Sequence, residues 1–237
     1  MDHMIVGIHQ PNLFPWLGYF NKIAKSNIFF FLDDVQIQKT GASYSNRVSI
    51  SVNGVESYIT APIRRKEGVW NVNQTYFVDR RWVNQTLKTL QAAYARAKHF
   101  KLERDFVFDL IAHETLNLAD YNINFITSVA NELGLRTRML TSSDFSVAAV
   151  DPTERLIELI RFVKGKTYLS GKGAVAYQEE HKFRSCGIDL AYIDNSKLIY
   201  DQSGAPIFVR GLSVLDSIFH IGREATSELL LSGTTSD

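Results

Sequence analysis

The chain has 237 residues, of which 45% are hydrophobic and 22% charged, a composition typical of a globular protein with one large domain or two small ones. Its 26 basic and 25 acidic residues give a formal net charge of +1, so its overall charge gives no reason to expect a nucleic-acid partner. A single cysteine, Cys186, excludes an intrachain disulfide and a cysteine-based zinc cluster. The sequence has no apolar run of membrane-spanning length and no visible secretory signal, which predicts a cytoplasmic protein.

The N-terminal stretch predicts a strand, a tight polar loop and a helix. Residues 5–8 form an apolar run typical of a buried strand, and Pro11 ends regular pairing because proline supplies no backbone donor. Pro15 suits the first turn of a helix, and apolar residues recur at helical spacing from Trp16 onwards. A second apolar run follows at residues 28–32, so the chain begins with the pattern of two parallel strands joined by a helix.

Polar side chains follow both of these strands. His9 and Gln10 come directly after the first strand, and Asp33 and Asp34 directly after the second. A helical connection makes the two strands parallel and brings both of their carboxyl ends to one edge of the sheet. We therefore expect the four side chains to be neighbours, at the edge where open α/β sheets bind ligands.

A hairpin and a helical region are predicted next. Residues 46–52 and 55–61 alternate between apolar and polar on either side of Asn53-Gly54, the strongest short signal for a β-hairpin. A short strand is predicted at residues 75–78. Three amphipathic segments then fill residues 79–134, with Asp79 as the first N-cap, and this region is either an insertion or a helical lobe beside the sheet.

The α/β rhythm resumes with Asp151-Pro152-Thr153-Glu154, which has the cap, the first-turn proline and the reciprocal acidic residue of a strong helix start. The elements predicted after it are a helix to residue 164, strands at 167–169 and 188–192, a helix at 175–184, and two helices within 212–231 that are split near Gly222. The sequence therefore predicts a single α/β domain over residues 1–237, with a mainly parallel sheet flanked by helices and a helical region in the middle of the chain.

His9 is the first candidate catalytic residue, with Asp33 and Asp34 as its partners. A carboxylate that accepts a hydrogen bond from one imidazole nitrogen fixes the tautomer and raises the basicity of the other nitrogen. The alternative is structural, with His9 and the aspartates capping the ends of their strands. Three such side chains without a fourth ligand are a weak metal signal, and we predict no metal site and no cofactor.

Ser170, Gly171, Lys172 and Gly173 form a second candidate, between a predicted strand and a predicted helix. Glycines let backbone N–H groups approach an anion at a helix N-terminus, and Lys172 adds a positive charge. The spacing of a P-loop is absent. A tight turn between strand and helix would need the same glycines, so the loop predicts either a ligand-binding segment or a plain turn.

Asn46 and Arg47 form a third candidate, because an arginine on an alternating strand can clamp a carboxylate or a phosphate with two hydrogen bonds. An ion pair of Arg47 with Asp33 or Glu56 is the structural alternative. Near the C-terminus, Ser213 and Asp216 have the spacing of a helix cap and its reciprocal partner.

Several of these segments resemble the WbqC-like family, in the same order along nearly the whole chain. The matching segments are Ile8-His9-Gln10-Pro11, Pro15-Trp16-Leu17-Gly18-Tyr19-Phe20, Leu32-Asp33-Asp34-Val35-Gln36, Asn46-Arg47, Ala61-Pro62-Ile63, residues 168–174 and residues 212–216. The chain departs from the family pattern at His220, where asparagine is expected, and in the spacing of residues 200–206.

The resemblance implies a transferase of bacterial O-antigen or related surface-polysaccharide biosynthesis, which moves an acyl or aminoacyl group such as glycine onto the amine of a nucleotide-linked aminosugar. In that role His9 is the general base, Gln10 and Asn46 contact the substrate, and Arg47 with residues 170–173 holds an anionic part of it. The donor would be a thioester of a carrier protein or of coenzyme A. A non-catalytic protein that binds a sugar nucleotide or a carrier is the alternative.

Overall fold

The computed structural model describes residues 4–37, 43–64, 70–147, 151–171, 179–202 and 207–232. In chain order its elements are β1 (Ile5–His9), α1 (Leu17–Ala24), β2 (Ile28–Phe31), β3 (Arg47–Val52), β4 (Val55–Thr60), α2 (Arg81–Tyr94), α3 (Phe100–Ile111), α4 (Leu118–Glu132), β5 (Arg138–Thr141), α5 (Pro152–Phe162), β6 (Thr167–Ser170), α6 (Glu180–Ser185), β7 (Asp189–Tyr192) and α7 (Val214–Leu231), with 3-10 turns at Val72–Gln74 and Ser142–Asp144.

The centre of the molecule is a parallel sheet of five strands in the order β5-β2-β1-β6-β7. From β1 the chain first adds β2 and β5 on one side, and later β6 and β7 on the other. The direction of winding therefore reverses between β1 and β6, and in open α/β sheets ligands bind outside the carboxyl ends of the strands at this switch point. The predicted α/β class and the helical stretch in the middle of the chain are confirmed.

Both faces of the sheet are covered, which explains why β1 and β2 read as unbroken apolar runs. Side chains of successive residues point to opposite faces, so Phe29 and Phe31 join one hydrophobic cluster while Ile28 and Phe30 join the other. The first cluster also holds the buried residues of α1, α2, α3, α4 and α7, and the second holds those of α5 and α6. The predicted helical region 79–134 thus packs into the same cluster as the sheet.

Strands β3 and β4 form the predicted hairpin as a separate two-stranded antiparallel sheet. Asn53 and Gly54 form its turn with φ values of +53° and +77°, a combination that asparagine and glycine tolerate best. The short strand expected at residues 75–78 is not formed. Its backbone makes only isolated bridges, from Tyr76 to Asn117 and from Phe77 to Ile63.

The helices begin and end near the residues that the sequence predicts, and at α2 the capping position is shifted by one residue. Asp151 accepts a hydrogen bond from the backbone of Glu154, as predicted. Asp79, expected as the cap of α2, lies one residue before the capping position and binds the backbone and guanidinium of Arg81 instead. In α7, Gly222 has φ +82° and ψ 164° and splits the helix, as predicted. No helix in the described ranges has the length and apolar character needed to cross a bilayer.

Candidate functional site

His9 is the last residue of β1 and lies at the carboxyl edge of the sheet, beside the switch point between β1 and β6. The carboxyl ends of β1 and β2 are neighbours there, as predicted. The backbone N–H of Leu32, which follows β2, donates to the carbonyl of His9 over 2.8 Å. Residues from both central strands thus border the same edge of the sheet, next to the loop that leads from β1 to α1.

The loop of residues 10–15 is held in one conformation by hydrogen bonds between its backbone and other parts of the chain. Phe14 has φ +41°, an uncommon value for a side chain with a Cβ, so the surrounding contacts must maintain it. Three side chains donate to carbonyls of the loop: the phenol of Tyr19 to Gln10 at 3.0 Å, the amide of Asn122 to Pro11 at 2.9 Å, and the hydroxyl of Ser213 to Phe14 at 2.7 Å. The loop itself donates one bond, from the N–H of Leu13 to the carbonyl of Tyr44 at 3.0 Å. The side chains on this loop are therefore presented by a preorganised backbone.

The imidazole of His9 is in one defined tautomer. Its Nδ1 lies 3.1 Å from the carbonyl oxygen of Gln10. A carbonyl can only accept a hydrogen bond, so Nδ1 carries the proton and Nε2 of the neutral ring carries the lone pair. The rings of Trp16 and Tyr19 stand edge-on to it, with centroids 5.6 and 4.9 Å away, and fix its plane.

The surroundings of His9 keep it uncharged. Burial, and secondly the positive charge of Lys22, lower its pKa from 6.5 to about 3, while the bond to the carbonyl of Gln10 acts in the opposite direction. Lys22 lies on α1 beneath the strand and its Nζ donates to the carbonyl of Ile8 over 2.6 Å. Burial lowers the pKa of this lysine as well, to about 7. His9 is thus a neutral hydrogen-bond acceptor at physiological pH.

A pocket of about 490 Å³ opens beside His9. The residues that line it are His9, Gln10, Asn12, Gln36, Ile37, Ser43 and Tyr44. Among these there is no aspartate, glutamate, lysine or arginine, so the lining that the structure describes combines apolar surface with several polar groups and carries no formal charge. A pocket of this size, with a few converging polar groups, has the character of a small-molecule site.

Asp33 and Asp34 make their described hydrogen bonds and ion pair with the turn after β5, with Asn73 and with Arg155, and none with His9. Asp33 is buried and accepts hydrogen bonds from Ser142, from the backbone and hydroxyl of Ser143, and from Asn73. The expectation that one of these carboxylates orients His9 is therefore wrong. Nδ1 of His9 bonds to the carbonyl of Gln10, and both aspartates bond to other residues.

Asp34 joins the same group of contacts through Ser142 at 2.5 Å and forms an ion pair with Arg155 of α5. Neither aspartate is among the residues that line the pocket beside His9. In the described contacts they connect the loops after β2 and β5, and a catalytic part for them stays a prediction.

Asn46 and Arg47 lie at the start of the hairpin, outside the lining of the His9 pocket. The amide of Asn46 is buried and donates to the carbonyl of Ala61 over 2.9 Å. The guanidinium of Arg47 stacks over the ring of Tyr58 at 4.0 Å, and Glu56 binds Ser49 rather than this arginine. The ion pair of Arg47 with Asp33 or Glu56, which was the structural alternative, is absent from the described contacts, and substrate binding by Asn46 and Arg47 stays a prediction.

Ser170 ends β6 on the far side of the switch point from β2, and it is buried. Gly171 follows it at the edge of the described chain, while Lys172 and Gly173 lie outside the described residues. The position of Ser170 and Gly171 beside β1 agrees with a place at the ligand-binding edge of the sheet, and their contribution to binding stays a prediction.

A buried network surrounds Asp216, for which the sequence favours a capping role. The carboxylate of Asp216 is fully buried and accepts hydrogen bonds from the phenols of Tyr94 at 2.9 Å and Tyr200 at 2.7 Å, and from the amide of Gln202 at 3.0 Å. It does not cap α7 as expected; the cap is the hydroxyl of Ser213 alone. The capping spacing was the only signal that the sequence offered for this residue.

The described residues include no group of three or more histidine, cysteine, aspartate or glutamate side chains arranged to hold a metal ion. Cys186 follows α6 and is exposed.

Comparison with known proteins finds a family that matches nearly the whole chain. The model of the WbqC-like protein family matches residues 10–228, which include the loop after β1, the hairpin, the helical region and α7 up to its last turn. The chain belongs to the WbqC-like protein family. The resemblance inferred from the sequence motifs is thereby confirmed.

A relative of this WbqC-like chain is the uncharacterized protein Rv1507c of Mycobacterium tuberculosis. The two are 30% identical over 227 residues, which covers 94% of this chain and 96% of the relative. The similarity therefore extends over both proteins rather than over one shared segment. No solved structure matches the chain significantly.

Proposed function

We propose that the protein is a transferase of bacterial O-antigen or related surface-polysaccharide biosynthesis, which moves an acyl or aminoacyl group, such as glycine, onto the amine of a nucleotide-linked aminosugar. Membership of the WbqC-like family supports the pathway. The observation that carries the chemistry is His9, a neutral imidazole with its Nε2 lone pair available, beside a pocket at the switch point of the sheet. We place the reaction in the cytoplasm.

The proposed step needs no metal, no redox cofactor and no covalent enzyme intermediate. The sugar amine attacks the carbonyl carbon of a thioester, the new C–N bond forms, the C–S bond breaks, and the thiolate of the carrier protein or coenzyme A leaves. The proton lost from the amine nitrogen passes to Nε2 of His9 and then to the departing thiolate. Atoms and charge balance without a further reactant.

A histidine with a pKa of about 3 is a weak base towards a free ammonium group. It accepts a hydrogen bond from the neutral amine and orients the nitrogen towards the thioester. Once the C–N bond has formed, that nitrogen carries a positive charge, and it becomes strongly acidic as the C–S bond breaks and the amide forms, so a weak base is then sufficient to remove its proton. His9 therefore acts late in the step, after the amine has entered the pocket uncharged.

The remaining predicted residues supply binding in this proposal. Gln10 lines the pocket beside His9 and contacts the acceptor. Arg47, whose Nε is buried without a partner among the described residues, and the segment that begins with Ser170 and Gly171 bind anionic parts of the donor or acceptor. The nucleotide of the acceptor and the phosphates of coenzyme A are the anions this scheme involves.

A non-catalytic binding protein of the same pathway is the second candidate. The observation in its favour is that no carboxylate contacts His9 among the described residues, so the basicity of the imidazole is raised only by its bond to the carbonyl of Gln10. In this case the pocket binds a sugar nucleotide or a carrier without turnover.

The test is a transfer assay by mass spectrometry, with nucleotide-linked aminosugars as acceptors and acyl or glycyl thioesters of coenzyme A and of a carrier protein as donors. The account expects N-acylated product with the wild-type protein and none with His9→Ala, while His113→Ala, at an exposed histidine, keeps full activity. Urea denaturation verifies that both variants are folded. Near-normal turnover by folded His9→Ala removes His9 from the mechanism, and tight ligand binding without product across these donors favours the binding protein.

A further inference from the structure

Asn12, a residue of the candidate pocket's lining, has an unused hydrogen-bonding group. It lies on the preorganised loop after β1, lines the pocket, and is only 2% exposed. Its side-chain nitrogen Nδ2 is buried and has no hydrogen-bond partner among the described residues. A buried donor without an acceptor destabilises a folded protein by about 1–3 kcal/mol, so such a group in a native structure calls for a physical explanation.

A second asparagine of the same region provides the comparison. Asn122, on α4, is also buried, but its Nδ2 donates to the carbonyls of Pro11 at 2.9 Å and Ser45 at 2.8 Å and so holds the loop. The fold therefore satisfies the amide nitrogen of Asn122, which positions the loop, and leaves unsatisfied the amide nitrogen of Asn12, a residue of the pocket lining. This difference is expected if the acceptor for Asn12 is supplied by a bound molecule.

The lining of the pocket defines the chemistry of that molecule. Its polar groups are the amides of Gln10, Asn12 and Gln36, a serine hydroxyl, a phenol and the neutral His9, and none of them carries a formal charge. The basic group nearest to His9 in the described contacts, Lys22, is buried and bonded to a backbone carbonyl. Among the described residues of this lining a phosphate or carboxylate finds no counter-charge, whereas an uncharged group rich in oxygen finds several donors and acceptors.

An aromatic wall accompanies these polar groups. Tyr44 lines the pocket with 66% of its surface exposed, and its ring packs against Trp16 with centroids 5.6 Å apart. The C–H face of a pyranose ring is apolar while its rim carries hydroxyl groups, so an exposed phenol beside several amides matches both parts of a sugar.

We propose that this pocket binds the uncharged sugar ring of the acceptor, with Nδ2 of Asn12 donating to an oxygen of a ring substituent and Tyr44 packing against the ring face. This inference rests on the proposed function in taking the acceptor to be a sugar. It adds that the ring and the nucleotide of the acceptor occupy separate regions, because the anionic nucleotide lies outside the neutral pocket. Asn12 is thereby a residue that binds substrate and selects for a sugar oxygen at one position.

The test compares Asn12→Leu with Asn122→Leu as a matched control. Leucine has nearly the shape of asparagine and removes the unpaired donor, so Asn12→Leu leaves the midpoint of urea denaturation unchanged or raises it. Asn122→Leu removes two bonds to the loop and lowers that midpoint. Binding is measured by saturation-transfer NMR and titration with N-acetylglucosamine as the neutral sugar probe, and with uridine diphosphate as the anionic probe.

The proposal expects Asn12→Leu to weaken binding of N-acetylglucosamine about tenfold, the effect of one lost hydrogen bond to a ligand, without affecting uridine diphosphate. Absence of N-acetylglucosamine binding to the wild-type protein overturns the proposal, and so does binding that Asn12→Leu leaves unchanged. If Asn12→Leu lowers the urea midpoint as much as Asn122→Leu does, Asn12 has a structural role, and this result also overturns the proposal. Sugar binding that depends on Asn12, together with no product in the transfer assay, retains this inference while rejecting the transferase.

Discussion

Replacement of Lys22 by methionine tests the electrostatic environment beneath His9. Lys22 is 4% exposed, and burial lowers the pKa of its ammonium group from 10.5 to about 7 in the folded protein. The folded state therefore binds fewer protons than the unfolded state between about pH 7 and 10.5, and the free energy of unfolding rises with pH across this window. Below pH 7 lysine is charged in both states, and the folded protein is destabilised by the full cost of the buried charge.

The size of the effect follows from the lowered pKa. Well inside the window each pH unit adds about 1.4 kcal/mol to the free energy of unfolding, and because Lys22 is half titrated at pH 7, wild type gains about 2 kcal/mol between pH 7 and 9 and about 3 kcal/mol between pH 6 and 9. Lys22→Met has no ammonium group and lacks this gain. The two proteins therefore differ most at pH 6, where the variant is the more stable, and approach each other by about 3 kcal/mol towards pH 9.

Urea denaturation followed by tryptophan fluorescence, at several values from pH 6 to 9, measures this difference. Lys88→Met, on the exposed side of α2, is the matched control and is expected to keep the pH dependence of wild type. The same pH dependence of the free energy of unfolding in wild type and Lys22→Met would refute the reasoning. A variant that is less stable than wild type at pH 6 would refute it as well.

Two other variants test the buried carboxylates. Asp33→Asn turns one of the two acceptor oxygens into a donor, opposite either the backbone N–H of Ser143 or the amide nitrogen of Asn73, and we expect it to lower the free energy of unfolding by roughly 2 kcal/mol in urea denaturation. Full stability together with loss of transfer would instead give Asp33 a catalytic part. Tyr94→Phe leaves the buried carboxylate of Asp216 short of one donor and the backbone N–H of Ser51 without its phenol acceptor. A loss of roughly 2–3 kcal/mol is expected by thermal denaturation, and a change under about 0.5 kcal/mol would contradict a structural role for the network.

The parts of the fold that could be predicted are those governed by local patterns. The apolar runs at β1 and β2 indicated buried parallel strands because helices cover both faces of the sheet. Asn53-Gly54 and Asp151 indicated the hairpin and the start of α5, since the required backbone angles and cap bonds depend on adjacent residues. His9 was placed correctly at the carboxyl edge by the same β–α–β logic.

The partners of polar side chains could not be predicted, because they lie far away in sequence. Asp33 binds Ser142, 109 positions later, and Tyr94 binds Asp216 across 122 positions. Spacing alone suggested that Asp33 would meet His9 and that Asp216 would cap a helix. The unpaired amide of Asn12 gave no sequence signal, since only the packed loop reveals which donors are satisfied.

The central claim is that a neutral His9, with its lone pair on Nε2, meets the acceptor amine in the pocket after β1. Long-range proton–nitrogen NMR of the imidazole groups tests it, with His9 assigned by comparison with His9→Gln. The account predicts an Nδ1-protonated ring that does not titrate between about pH 5 and 8, and a shift of its Nε2 resonance when a nucleotide-linked aminosugar is added. Titration of His9 near its ordinary pKa of 6.5, or an Nε2 resonance that the aminosugar leaves unmoved, would contradict it.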